Sequence, residues 1–100
     1  MPRYNRNFFY EAVIIAYLDE QLSAGVQPGT RAMSDELGFS NVTIINAVRR
    51  LVDAQRLNAQ RNSRGKLFNY QIKEPSTNLE KQALDFQRKI KKAAGDSPTA

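Results

Sequence analysis

The spacing of hydrophobic and polar residues changes from helical to alternating and back to helical along this chain. Residues 8–22 follow a helical repeat, with Phe8, Ile15 and Leu22 seven apart and Val13, Ile14 and Leu18 beside them. Asn7 is the expected N-cap and Ser23-Ala24-Gly25 the stop, with Gly25 suited to a left-handed cap. This helix is apolar on more than one side, so more than one layer must cover it, and a second copy of the chain is the expected second layer. Val26-Gln27-Pro28-Gly29 reads as a turn. Thr30 is then the expected cap of a short helix over 31–37, with Met33 and Leu37 facing inward. Gly38 stops that helix, Phe39 packs the turn, and Ser40 caps a helix over 41–55. Ile44, Ala47, Val48 and Leu51 form its buried stripe, which leaves Asn41, Val42, Ile45, Asn46, Arg49 and Arg50 on the opposite face.

After Leu57 the pattern alternates. Leu57, Ala59 and Arg61 predict one strand, and Phe68, Tyr70 and Ile72 a second whose aromatic residues share the core face. Asn62-Ser63-Arg64-Gly65 between them supplies a turn, so the pair is a hairpin with a cationic tip. Pro75 ends it. From Ser76 or Thr77 a last helix runs to about residue 94, with Leu79, Ala83, Phe86, Ile90 and Ala93 spaced as a heptad seam of about two repeats. Such a seam is too short to hold alone in water. The expected organisation is a unit over 1–74, a dimerisation helix over 75–95 and a disordered tail over 96–100. The seam residues Leu79, Ala83, Phe86 and Ile90, with Phe8, Ile15 and Leu22, are the expected dimer contacts. The fold class is mainly α with a β-hairpin, that is, α+β.

Composition narrows what such a domain can do. The 100 residues contain no Cys and no His, which removes zinc sites, thiol nucleophiles, disulfides and imidazole acid–base chemistry. No acidic or hydroxyl pair stands at a catalytic spacing, so no enzyme activity, cofactor or metal is expected. The longest apolar run, residues 12–18, is too short for a membrane span, and the start Met-Pro-Arg-Tyr-Asn-Arg does not read as a signal peptide. A cytoplasmic protein, associated with nucleoid or plasmid, is expected. The net charge of +5 is unevenly placed. Residues 49–73 carry Arg49, Arg50, Arg56, Arg61, Arg64, Lys66 and Lys73 against Asp53 alone, a net +6. Residues 1–48 sum to −2 and residues 74–100 to +1. Concentrated charge of this kind points to a polyanion.

Helix, short helix, glycine turn, helix and basic hairpin is the order of a winged helix-turn-helix, here with an additional C-terminal helix. The stretch Ser40-Asn41-Val42-Thr43-Ile44-Ile45-Asn46-Ala47-Val48-Arg49-Arg50-Leu51 resembles the recognition helix of GntR-type winged-helix regulators, which typically read Ser-Arg-x-Thr-Val-Arg-x-Ala-Leu-x-x-Leu. Arg61-Asn62-Ser63-Arg64-Gly65-Lys66-Leu67-Phe68 is similar to that family's wing, and Asp35-Glu36-Leu37-Gly38-Phe39-Ser40 to the end of its first motif helix. The resemblance covers roughly residues 28–72. Asn41 and Ile45 stand where the family often has Arg, and Gln55 or Arg56 replaces its usual glycine at the helix end. The family's ligand-sensing domain has no counterpart in residues 74–100. Winged-helix domains of plasmid and phage replication or partition proteins look similar in the same places.

The resemblance and the charge together imply sequence-specific binding to double-stranded DNA. A recognition helix places its first residues against base edges, so Asn41, Thr43 and Asn46 are candidates for base contact and Val42 and Ile45 for thymine methyls. Packing against the hairpin or the first helix is the alternative for Val42 and Ile45. Arg49 and Arg50 are expected on phosphates, with an Arg49–Asp53 pair as the alternative for Arg49. Arg61, Asn62, Ser63, Arg64 and Lys66 belong to the wing, and Arg64 best suits a narrow minor groove. Thr30, Arg31 and Ser40, at helix starts, are candidates for phosphate. The expected protein is a small homodimeric transcriptional repressor. Two alternatives are a partition (centromere-binding) or replication factor that also recruits a motor or replisome protein, and a winged helix that binds another protein.

Overall fold

The first helix buries seven consecutive residues, 12–18, none of them more than 4% exposed. A computed structural model, which describes residues 6–95, shows how the chain covers them. The order is α1 (Arg6–Ser23), α2 (Thr30–Leu37), α3 (Asn41–Asp53), β1 (Leu57–Arg61), β2 (Leu67–Ile72) and α4 (Asn78–Gly95). These make an α+β fold of four helices and one antiparallel hairpin among the described residues. α3, α4 and β2 all pack against α1. The second layer over α1 is therefore the chain's own, and the expectation that another copy supplies it is corrected. Ile15, a predicted dimer contact, is completely buried in this core, so it has no surface to offer a partner. Leu22 and Ala83, from the same prediction, are partly buried against the core. The tail predicted over 96–100 lies outside the described residues.

Local signals account for most boundaries. α1 begins at Arg6, so Asn7 lies inside the helix and is not its cap. It ends where the Gly25 amide donates to Leu22 (3.0 Å) and the Val26 amide to Gln21 (2.9 Å), a Schellman stop that needs Gly25 at φ +80°. α3 closes the same way around a residue that is not glycine. The Gln55 amide donates to Val52 and the Arg56 amide to Leu51, both at 3.0 Å, with Gln55 at φ +64°. That helix is two residues shorter than predicted because Gln55 takes the left-handed position. α2 starts one residue early: Gly29 is its N-cap, and Thr30 is the first helical residue. Ile44, Ala47, Val48 and Leu51 of α3 are buried, as are Met33 and Leu37 of α2, as their spacing predicted.

β2 departs from simple alternation. Leu57 pairs with Ile72 and Asn58 with Gln71, but Gln60 pairs with Phe68, so Ala59 faces both Asn69 and Tyr70. This β-bulge is seated on Asn69 at φ +57°, a conformation asparagine tolerates. The extra residue reverses the pleat before it. Leu67 therefore turns inward with Tyr70, and Phe68, predicted in the core, turns outward at 42% exposed. Tyr70 is held at its backbone by one side chain: Gln27 accepts from its amide (2.8 Å) and donates to its carbonyl (2.9 Å). A single amide does there what a third strand would do.

α4 docks through polar groups. Thr77 and Glu80 form a capping box, with the Glu80 amide donating to the Thr77 hydroxyl and the Thr77 amide to Glu80. The same buried Glu80 carboxylate receives the Arg56 guanidinium through two bonds of 2.7 and 2.9 Å. Gln87 donates to the Leu37 carbonyl at the end of α2 (2.7 Å), and Asp19 accepts both the amide and the hydroxyl of Ser76. Leu84 carries the helix into the core shared with residues before 75.

Burial alone would raise the Glu80 pKa, but the Arg56 guanidinium and the Thr77 amide outweigh it and hold it low. Glu80→Gln keeps an acceptor for the cap and removes the charge. We expect it to cost about 1–2 kcal/mol at neutral pH, since it removes the buried carboxylate from a half-buried guanidinium and leaves that group only the more exposed Glu74. A lowered carboxyl contributes its stability above the ordinary carboxylate range and loses it as pH falls through its depressed value. The gap between wild type and Glu80→Gln should therefore close in acid, as urea unfolding at a series of pH values will test.

Candidate nucleic-acid interface

The face of α3 opposite its buried stripe is open. Asn41, Val42, Ile45, Asn46 and Arg49 are exposed, with Val42 at 66%. The helix is aimed by Ser40, whose hydroxyl accepts from the Thr43 amide (3.2 Å) and donates to the Thr43 hydroxyl (2.9 Å). Ser40 and Thr43, both candidates for DNA contact, thus spend hydroxyl bonds on the cap. The hairpin stands beside this face. Between them lies a cleft of about 430 Å³, lined by Thr30 and Arg31 of α2, Asn41, Ile45 and Arg49 of α3, and Arg64, Gly65 and Lys66 of the hairpin turn. Val48, Leu67 and Tyr70 form its apolar floor.

The turn that carries Arg64 and Lys66 is rigid in a specific way. The Asn62 carboxamide oxygen accepts the amides of both Arg64 and Lys66 at 2.9 Å. The Asn62 amide donates to Lys66 (3.0 Å), and Gly65 at φ +81° closes the loop onto the Asn62 carbonyl. Asn62, expected to touch DNA, organises the turn with its side-chain oxygen. Ser63 is exposed at its tip. Tyr70, under the cleft, has its pKa raised by burial, against a hydrogen bond with Thr30 that lowers it.

Charge in the region is sorted into two classes. Arg50, expected on a phosphate, is drawn onto Glu11 of α1 by a 2.6 Å ion pair. Arg56 is held by Glu80 and Glu74. Arg88 of α4 forks onto Glu20 and covers the Tyr17 ring at 5.8 Å. By contrast, Arg31, Arg49, Arg61, Arg64 and Lys66 make no ion pair among the described residues, including the Arg49–Asp53 pair weighed above. Four of these five line the cleft. The carboxylates that sequestered Arg50 and Arg56 were not assigned beforehand. Glu80 was legible through its cap spacing to Thr77, whereas Glu11 meets Arg50 only through the packing of α1 on α3.

Among the described residues no group of acidic side chains could hold a metal ion, and no helix is long and apolar enough to cross a membrane. Compared with protein-family models, curated proteins and solved structures, the chain matches none.

The sorting of the two adjacent arginines can be tested by chemical denaturation. Arg50→Ala should lower stability by about 1 kcal/mol, because Glu11 is left half-buried without its partner. Arg49→Ala should change it by less than about 0.5 kcal/mol, as an exposed side chain without partners does. Equal losses would contradict the division.

Proposed function

We propose that this protein is a winged helix-turn-helix that binds double-stranded DNA in a sequence-specific way and acts as a small transcriptional repressor. α3 enters the major groove, and the β1–β2 hairpin is the wing that follows the flanking backbone or minor groove. One observation carries the reading: four cations that make no ion pair among the described residues, Arg31, Arg49, Arg64 and Lys66, converge on a cleft between an exposed helix face and a stiff hairpin turn. Nearby cations that could have joined them are neutralised by carboxylates. The resemblance of residues 40–51 to a recognition helix agrees with the same face.

Within this reading the side chains divide by reach. Asn41 and Asn46 are exposed carboxamides in the first half of α3, suited to paired bonds with adenine. Val42 and Ile45 beside them offer methyl groups to thymine. Arg31 and Arg49 take phosphates on either side of the groove, and Arg64, at the end of the turn, enters the minor groove with Lys66 on the backbone behind it. Repression would follow from occupying a promoter, with no effector required.

Salt dependence tests the proposal quantitatively. Four phosphate contacts per protomer give a slope of log affinity against log salt near about −4. Measured by fluorescence anisotropy on a duplex selected from a random pool, Arg64→Ala with Lys66→Ala should flatten that slope by about 2 per protomer. Asn46→Ala should leave the slope alone and cost about 1–3 kcal/mol of discrimination at one base position. No duplex bound above background at low salt, or an unaltered slope in the double variant, would refute the proposal.

A further inference from the structure

α4 is docked on the wrong face for its composition. Its buried residues are Glu80, Leu84 and Gln87, while the apolar stripe Leu79, Ala83, Phe86, Ile90 and Ala93 lies roughly a quarter-turn away. Leu79, Phe86 and Ile90 are 59%, 57% and 45% exposed. On one side the stripe meets α1, where the Phe86 ring lies edge-on to the ring of Phe9 at 6.2 Å. Polar clips hold the helix so that this stripe points outward: Arg56 to Glu80, Gln87 to Leu37, Asp19 to Ser76 and Glu20 to Arg88.

We infer that this outward stripe of α4 is the site at which a second copy of the chain docks, helix against helix. The stripe itself carries no charge, and its spacing is that of a heptad seam, which two identical helices satisfy together by interleaving. Asp85 and Lys89 beside it carry opposite signs, so a two-fold partner brings a countercharge to each. Area sets the strength. At about 200 Å² per large apolar side chain, the exposed parts of Leu79, Phe86 and Ile90 amount to roughly 300 Å², well under the roughly 800 Å² that one partner buries in a standard interface. With the two alanines and the stems of flanking side chains, that is the size of a small, reversible interface and not of an obligate one. None of these residues lines the cleft at α3, so both surfaces can be occupied together.

Sedimentation equilibrium of the whole chain without nucleic acid tests this independently of the DNA proposal. The mass should rise from 11.3 kDa towards twice that value between micromolar and submillimolar protein and then level off. Phe86→Glu with Ile90→Glu should hold it at one copy throughout, and Ile90→Glu alone should leave the thermal melt unchanged. Ile90→Glu alone, which spares the Phe9 contact, should weaken the dimer at least tenfold. A wild-type chain that remains at one copy overturns the inference, as do assembly beyond two copies and variants that dimerise like wild type.

Discussion

Everything in this fold answers to α1. Residues 12–18 are buried on every side of the helix, and a helix without a polar face must be enclosed. A chain of 100 residues has little material for that, and it uses all of it: α3 on one flank, α4 on another and β2 across a third. The remaining elements are placed by this enclosure. α2 is carried on α3, and the hairpin is brought beside the outer face of α3 because β2 must lie on α1. The cleft thus lies where covering one helix brings the hairpin beside α3, which also packs directly on β1.

Enclosure also decides which charges remain available. Where an arginine lies close to α1 or α4, a carboxylate meets it, as Glu11 meets Arg50 and Glu80 meets Arg56. Where arginines and lysines lie beyond the core, at the hairpin turn and the outer side of α3, none does. The +6 of residues 49–73 is therefore not one patch. Part of it holds the fold together, and the rest, joined by Arg31 from α2, makes the basic cleft. The proposed DNA-binding surface is smaller and more sharply bounded than the linear charge count implies.

Much of this was legible in the residues. The seven-residue repeat of α1, the i, i+3, i+4, i+7 stripe of α3, the change to alternation at Leu57 and the turn at Asn62–Gly65 all correspond to observed elements. Three features were not, each for a physical reason. Strand alternation placed Phe68 in the core, but one extra residue at Asn69 reverses the pleat, and no neighbouring glycine announces that bulge. The α4 seam was legible from its spacing, but the residues that dock the helix on its own domain, Glu80, Leu84 and Gln87, lie off that seam, and the capping box and the buried Glu80–Arg56 pair set its rotation. The breadth of apolar residues on α1 suggested a second chain, because distant elements cannot be counted as cover until the topology is known. At the candidate interface, exposed residues were identified from helix spacing, while the partners of Arg50 and Asn62 were not legible because they are set by tertiary contact and by turn geometry.

The central claim is that the open face of α3 and the turn of the hairpin together contact duplex DNA. The most direct measurement is the change in amide ¹⁵N and proton shifts when a selected duplex is added at low salt. The account predicts movement at Asn41 to Arg49, at Arg61 to Lys66 and at Thr30 and Arg31, with Arg56 and Glu80 undisturbed. Shifts confined to α4, or none at saturating duplex, would contradict it.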